Sequence, residues 1–182
     1  MSEVLKRRPK GNYVDGDMHA VPLFWAEELP EKRFSKKDFA GVKGPFALLR
    51  VISNERGGGL LAEVFDTVGS LDDLVESLDD VGVDKRLFRP VAVTSLPIDK
   101  GRWPLLREGD GYDKERDSGY SQIQLVVSPR SLPQLWSPAT GAQPIRPEQV
   151  QQYEPWKVWM PHQLEQRIIK TLEDRGTPIP VG

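Results

Sequence analysis

Three apolar runs crowd the first third of the chain. Gly16-Asp17-Met18-His19-Ala20-Val21-Pro22-Leu23-Phe24-Trp25 comes first, then Pro45-Phe46-Ala47-Leu48-Leu49-Arg50-Val51-Ile52, then Leu60-Leu61-Ala62-Glu63-Val64-Phe65. Short apolar runs bounded by Gly, Pro and Asn signal strands. The first predicts a strand over 17–25 in which His19, Val21 and Leu23 share a face, because side chains alternate along a strand. Pro22 has no N–H to give to a ladder, so that strand is expected at an edge or bulged there. The runs at 46–52 and 60–65 flank Asn54-Glu55-Arg56-Gly57-Gly58-Gly59. That is turn material, and the three segments together predict an antiparallel hairpin.

Further along, the period changes. Leu71, Leu74, Val75 and Leu78 fall at helical spacing, while Asp72, Asp73, Glu76 and Asp79 fall mostly on the other side. Ser70 stands as N-cap with Asp73 at the capping-box position, so a short helix over 70–78 is expected. Residues 161–175 give the clearest helix: Leu164, Ile168 and Leu172 repeat every four residues and Ile169 widens the stripe. Pro161 suits its first turn, and Gly176 with Pro178 stops it. Segments 87–96 and 120–127 read as strands, 107–119 as a polar loop, and 128–147 as Pro-rich turns with a short edge strand. The charged spacer at 27–43 has Phe34 and Phe39 as its large apolar anchors, with a short helix around 36–40. The fold class expected is α+β: a curved, mostly antiparallel sheet, SH3-like or barrel-like in its first part, with a few packed helices. Residues 1–15 read as a flexible basic lead-in and 16–182 as a single domain, with 107–182 a candidate C-terminal extension.

Composition narrows the class. The 182 residues include 16 Gly and 16 Pro, more than a helical bundle tolerates. There is no Cys, which removes disulfides, thiol nucleophiles and zinc–thiolate sites and agrees with a reducing cytoplasm. No apolar run approaches the roughly 20 residues that span a bilayer. The basic N-terminal residues Lys6, Arg7, Arg8 and Lys10 lack the apolar stretch that makes a signal peptide. A net charge of −2 argues against general nucleic-acid binding. The charge is uneven, however. From Asp66 to Asp84 every charged residue is acidic.

The candidate chemistry is sparse. His19 and His162 are the two histidines, and neither stands in a His-x-His or Ser-His-Asp grouping. Each is read as structural rather than as a general base. Gly57-Gly58-Gly59 lacks the Lys and Ser/Thr of a phosphate loop and is read as a turn. The carboxylates Asp72, Asp73, Glu76, Asp79 and Asp80 lack calcium-loop spacing. Their plain reading is a solvated helix face, and their sharper reading is an anionic surface for a basic protein partner. Of the five Trp, Trp156 and Trp159 would share a face if Trp156-Lys157-Val158-Trp159 is one strand. No catalytic residue, metal ligand or cofactor is expected.

Gly16-Asp17 followed by Ala20-Val21-Pro22-Leu23, then Arg50-Val51 in a strand, then a Gly-containing turn and a strand ending at Glu63-Val64-Phe65, resembles the immunity protein 26 family of bacterial polymorphic toxin systems. The likeness covers about residues 12–100. It implies a cytoplasmic antidote whose partner is a cognate toxin protein, with no membrane and no direct nucleic-acid contact expected. The same resemblance carries a phosphotriesterase label on some relatives, so a small phosphoester hydrolase using His19 is the alternative. A nucleic-acid-binding β-barrel using Trp stacking stands third.

Overall fold

The computed structural model describes residues 10–25, 33–55, 57 and 59–179. Most of the basic lead-in (1–9), part of the charged spacer (26–32) and the turn residues Arg56 and Gly58 lie outside the described residues.

Among the described residues, ten strands form one sheet of six and one of four. The large sheet is built from β1 (Met18–Pro22), β2 (Phe46–Glu55), β3 (Gly59–Gly69), β4 (Val91–Val93), β5 (Leu105–Arg107) and β10 (Val158–Trp159), in the order β10-β4-β3-β2-β1-β5. All its pairings are antiparallel except β10 on β4. The small sheet holds β6 (Leu125–Val127), β7 (Gln134–Ser137), β8 (Gly141–Pro144) and β9 (Glu154–Pro155), in the order β8-β7-β6-β9. The α+β class expected from the sequence is what forms. The sheets stay open rather than closing into a barrel.

β2 explains why its sequence runs apolar without alternation: the strand is covered on both faces. Ala47, Leu49 and Val51 pack with Leu164, Ile168 and Leu172 of helix α4 (Pro161–Asp174). Phe46 and Leu48 pack with Leu71, Leu74 and Leu78, from helix α1 (Leu71–Glu76) and the turn after it. Ile52 joins Leu61, Ile123 and Leu125, with Trp136 beside them, where the small sheet meets the large one. Phe34 and Phe39 anchor the spacer in the α1-side core, and a 3-10 turn at Lys36–Phe39 stands where a short helix was expected.

Several elements depart from the sequence expectation. β1 is not an edge strand; β5 pairs on its outer side at Met18 and His19, and the register shifts between those two residues rather than at Pro22. The Ala20 amide donates to the Pro104 carbonyl at 3.0 Å. Alternation then aims the position of the missing Pro22 N–H past the end of β5, where no ladder needs it. The strand expected over 87–96 shrinks to β4, since Pro90 precedes it and helix α2 (Leu96–Asp99), with Pro97 in its first turn, follows. The expected loop at 107–119 contains the end of β5 and helix α3 (Lys114–Ser118), whose N-cap Asp113 accepts from the amides of Glu115 and Arg116. Gly119, at φ 55°, ends α3 in the left-handed region. The chain there makes a 3-10 turn at Tyr120–Gln122 where a strand was expected. Trp156 and Trp159 do not share a face: Trp156 stacks edge-on against Trp136 at 4.5 Å beside the small sheet, while Trp159 belongs to β10.

Candidate functional site

The acidic segment folds as its pattern predicts, in a shorter helix. Ser70 caps α1: its hydroxyl accepts from the Asp73 amide at 3.2 Å, and Asp73 Oδ2 accepts from the Ser70 amide and hydroxyl at 2.8 and 2.7 Å. Those hydrogen bonds hold the Asp73 carboxyl below its ordinary pKa. Burying Leu71, Leu74 and Leu78 turns the carboxylates of Asp72, Asp73, Glu76, Asp79 and Asp80 to solvent, and all five are exposed. They are not equivalent. Asp79 pairs with Arg107, and Asp80 pairs with Lys85. Asp73 is engaged in the cap, whereas Asp72 and Glu76 have no hydrogen-bond or ion-pair partner among the described residues.

Arg107 joins this ridge to a second layer. Its guanidinium pairs with Asp79 and donates to the Leu78 carbonyl at 2.7 Å, tying the end of α1 to β5. Between the two lies a polar cavity of about 330 Å³, bounded by Leu78, Asp79 and Val81 on one side and by Arg107, Glu108 and Tyr112 on the other. Gly16 and Asp17 seat the far wall. Gly16 has φ 90°, and a Cβ there would come within 2.4 Å of the Tyr112 side chain. Asp17 is buried and accepts the Gly109 amide at 3.0 Å. The Gly-Asp pair is thus a seat for the 109–112 loop.

Beneath that loop is a buried charged cluster that the sequence reading missed. Glu63 of β3 is wholly buried and lies directly across from Arg50 of β2. Arg50 donates through Nε to Glu63 Oε1 at 2.7 Å, and Arg86 donates through Nε to Glu63 Oε2 at 2.6 Å. Ser118 Oγ donates to Glu63 Oε1 at 2.6 Å. The Tyr112 hydroxyl sits 2.7 Å from Ser118 Oγ, and burial pushes its pKa up to about 12. Arg50 also stands 5.1 Å from the centre of the Tyr112 ring. The available signal was Arg50 and Glu63 interrupting two otherwise apolar runs: a charge inside a strand buried on both faces needs a partner.

The two histidines lie on separate elements, His19 in β1 and His162 in α4. His19 is buried with Nδ1 3.0 Å from the Trp103 carbonyl oxygen. His162 sits half-buried in the first turn of α4, and its Nδ1 has no hydrogen-bond partner among the described residues. Gly57 and Gly59 take positive φ around the hairpin, and Glu55 pairs with Gly59 across it. Among the described residues no group of three His, Asp or Glu side chains is placed to hold a metal ion. No helix among them is long and apolar enough to cross a membrane.

The ridge and the cavity beside it offer carboxylates to solvent, and the cluster below fixes the loop that lines them. Chemically the arrangement can receive cationic groups over the ridge. No curated protein and no solved structure matches the chain. A family model described as Immunity protein 26 matches residues 14–132, which takes in α1, the cavity loop and the whole of the buried cluster.

Proposed function

The chain belongs to the immunity protein 26 family, and from that membership we propose that it is a non-enzymatic antidote that binds and neutralises a cognate bacterial toxin in the cytoplasm. The proposed contact is the ridge of Asp72, Asp73, Glu76, Asp79 and Asp80. The observation that carries it is the exposure of all five carboxylates on the solvent side of α1 and its following turn. A toxin acting on nucleic acid presents a basic cleft, and an anionic ridge matches such a cleft in sign. Complementary charge speeds encounter and selects the partner. Asp72 and Glu76 are the members with a full charge to offer, since Asp79 and Asp80 are already paired. The proposed antidote role involves no direct contact of this chain with nucleic acid or membrane.

The test is co-expression with the candidate toxin domain encoded by the neighbouring gene, followed by binding measurements on the complex. The double variant Asp72→Lys/Glu76→Lys leaves the Ser70–Asp73 cap intact. It is expected to bind about tenfold more weakly or worse, with a flatter dependence on salt. Unchanged affinity would overturn the ridge as the contact. Failure of the native chain to rescue growth or to form a complex would overturn the antidote reading itself.

A further inference from the structure

The cluster around Glu63 is unbalanced. Two guanidinium groups, Arg50 and Arg86, share one carboxylate. Their other hydrogen bonds go to neutral oxygens: Arg50 donates to the Asp117 carbonyl at 2.9 Å and Arg86 to the Ser118 carbonyl at 2.7 Å. The Asp117 carboxylate is taken up by Arg116 and by the Asp113 amide. Among the described residues one positive charge is therefore left over at hydrogen-bonding distance, with the Asp117 carboxylate acting on Arg50 only through space, and an uncompensated charge in a largely buried setting is costly.

That surplus lies beside a second cavity, of about 340 Å³, distinct from the one next to the acidic ridge. Arg86 and Arg89 both line it, and no carboxylate does. In a protein of net charge −2 this is a local inversion of sign. Arg86 is held on its Nε–Nη2 edge by Glu63 and the Ser118 carbonyl, and its Nη1 has no partner among the described residues. The guanidinium is thereby oriented before any ligand arrives, which reduces the entropic cost of binding. The Tyr153 hydroxyl and the Gln124 amide, also on the lining, have no hydrogen-bond partner among the described residues either. Val83, Pro90 and Ile123 supply apolar wall. A pocket of this size with apolar walls and a few convergent polar groups is the usual form of a small-molecule site.

We propose that this cavity binds a small organic carboxylate: an anionic head on Arg86 and Arg89, and an aliphatic or aromatic body against Val83, Pro90 and Ile123. The head supplies the missing countercharge, and a paired guanidinium–carboxylate contact is the strong, directional kind. The body distinguishes this site from one for bare phosphate. The proposal stands apart from the antidote reading, because neither the cavity nor its arginines belong to the acidic ridge.

The test titrates the full chain with benzoate, with its neutral analogue benzamide and with inorganic phosphate, following the amide signals of Gly119, Gln122 and Gln124 by NMR. Benzoate is expected to shift them saturably, and benzamide is not. Arg89→Gln, an exposed substitution that leaves the Glu63 cluster intact, is expected to weaken benzoate by about tenfold, the loss of one charge-assisted hydrogen bond. Lys170→Gln, an equal charge change on α4, leaves the affinity as it was. Absence of a saturable benzoate shift overturns the proposal, as does equal binding of benzamide or benzoate affinity indifferent to Arg89→Gln. Phosphate binding in preference to benzoate overturns the assignment of a ligand with an apolar body.

Discussion

Two glutamates, Glu63 of β3 and Glu165 of α4, are wholly buried, and each is met by arginine. At Glu165 the stoichiometry among the described residues is one to one. Arg102 donates from Nε and Nη2 to the two carboxylate oxygens at 2.8 and 2.6 Å, and the Trp103 indole N–H donates at 3.0 Å. Among the described residues one cation meets one anion, both out of solvent, with the Trp25 ring 4.9 Å from the guanidinium. At Glu63 two cations meet one anion, and the arginines keep partial access to solvent. The closed pair behaves as a staple: it fixes α4 to the segment before β5. The open cluster also fixes a loop, but it leaves charge and N–H groups beside a cavity. The contrast separates two uses of a buried carboxylate, one finished by the fold and one left for something else to complete.

The largest effect should come from breaking the closed pair. Arg102→Ala leaves Glu165 buried with the Trp103 N–H as its remaining donor among the described residues. Removing one partner of a buried pair typically costs about 3–5 kcal/mol. Denaturant unfolding of the variant should show a loss in that range. A loss below about 1 kcal/mol, the level of an exposed pair, would mean that Glu165 is not sealed as described.

Arg86→Ala should cost less, about 1.5–3 kcal/mol, the worth of hydrogen bonding to a charged group. Glu63 keeps Arg50 and the Ser118 hydroxyl as donors, so its charge is never orphaned. The comparison sharpens in a double-mutant cycle. Arg50→Ala and Arg86→Ala together should destabilise by more than the sum of the singles, since only the double strips Glu63 of both cations. Strict additivity would mean that the two arginines do not share the carboxylate energetically, and equal losses for Arg86→Ala and Arg102→Ala would erase the distinction between the two sites.

The same two glutamates show what the sequence could and could not disclose. Glu165 falls within the clearest helix in the chain, whose apolar stripe placed α4 correctly to within a residue of its end. Its burial was invisible, because Arg102 lies 63 positions away and no local pattern links them. The hairpin of β2 and β3 was legible from its runs and turn. The cross-strand pairing of Arg50 with Glu63 needed the register, which apolar residues on both faces do not specify. α1 and its cap were legible because Ser70 and Asp73 act within one turn. The 107–119 segment was not, since α3 is held by the Asp113 cap and Gly119 rather than by an apolar stripe. The loop over the Glu63 cluster is fixed by close approach at Gly16 and Gly109, a contact between positions some ninety residues apart. Local chemistry could be read; long-range electrostatics had to be seen.

The smallest effect, and the one that isolates the open cluster from the closed pair, is expected at alkaline pH. Tyr112 covers Arg50 and hydrogen-bonds Ser118. Burial raises its phenol from 10.0 to about 12, and the neighbouring Glu63 charge acts in the same direction. The native state therefore favours the neutral phenol. Its contribution is complete below the unfolded pKa of 10.0 and is lost as pH rises towards about 12. Stability measured across that window should decline, and Tyr112→Phe should remove Tyr112's share of the decline. Tyr13 and Tyr120 are raised as well, by burial and by hydrogen bonds to Asp99 and Glu55, so their shares persist in that variant. No tyrosine hydrogen-bonds Glu165 among the described residues, so substitutions there should lower stability about equally at neutral and alkaline pH. An alkaline limb as steep in Tyr112→Phe as in the native chain would place that phenol in water, and the loop over the Glu63 cluster would then be open rather than seated.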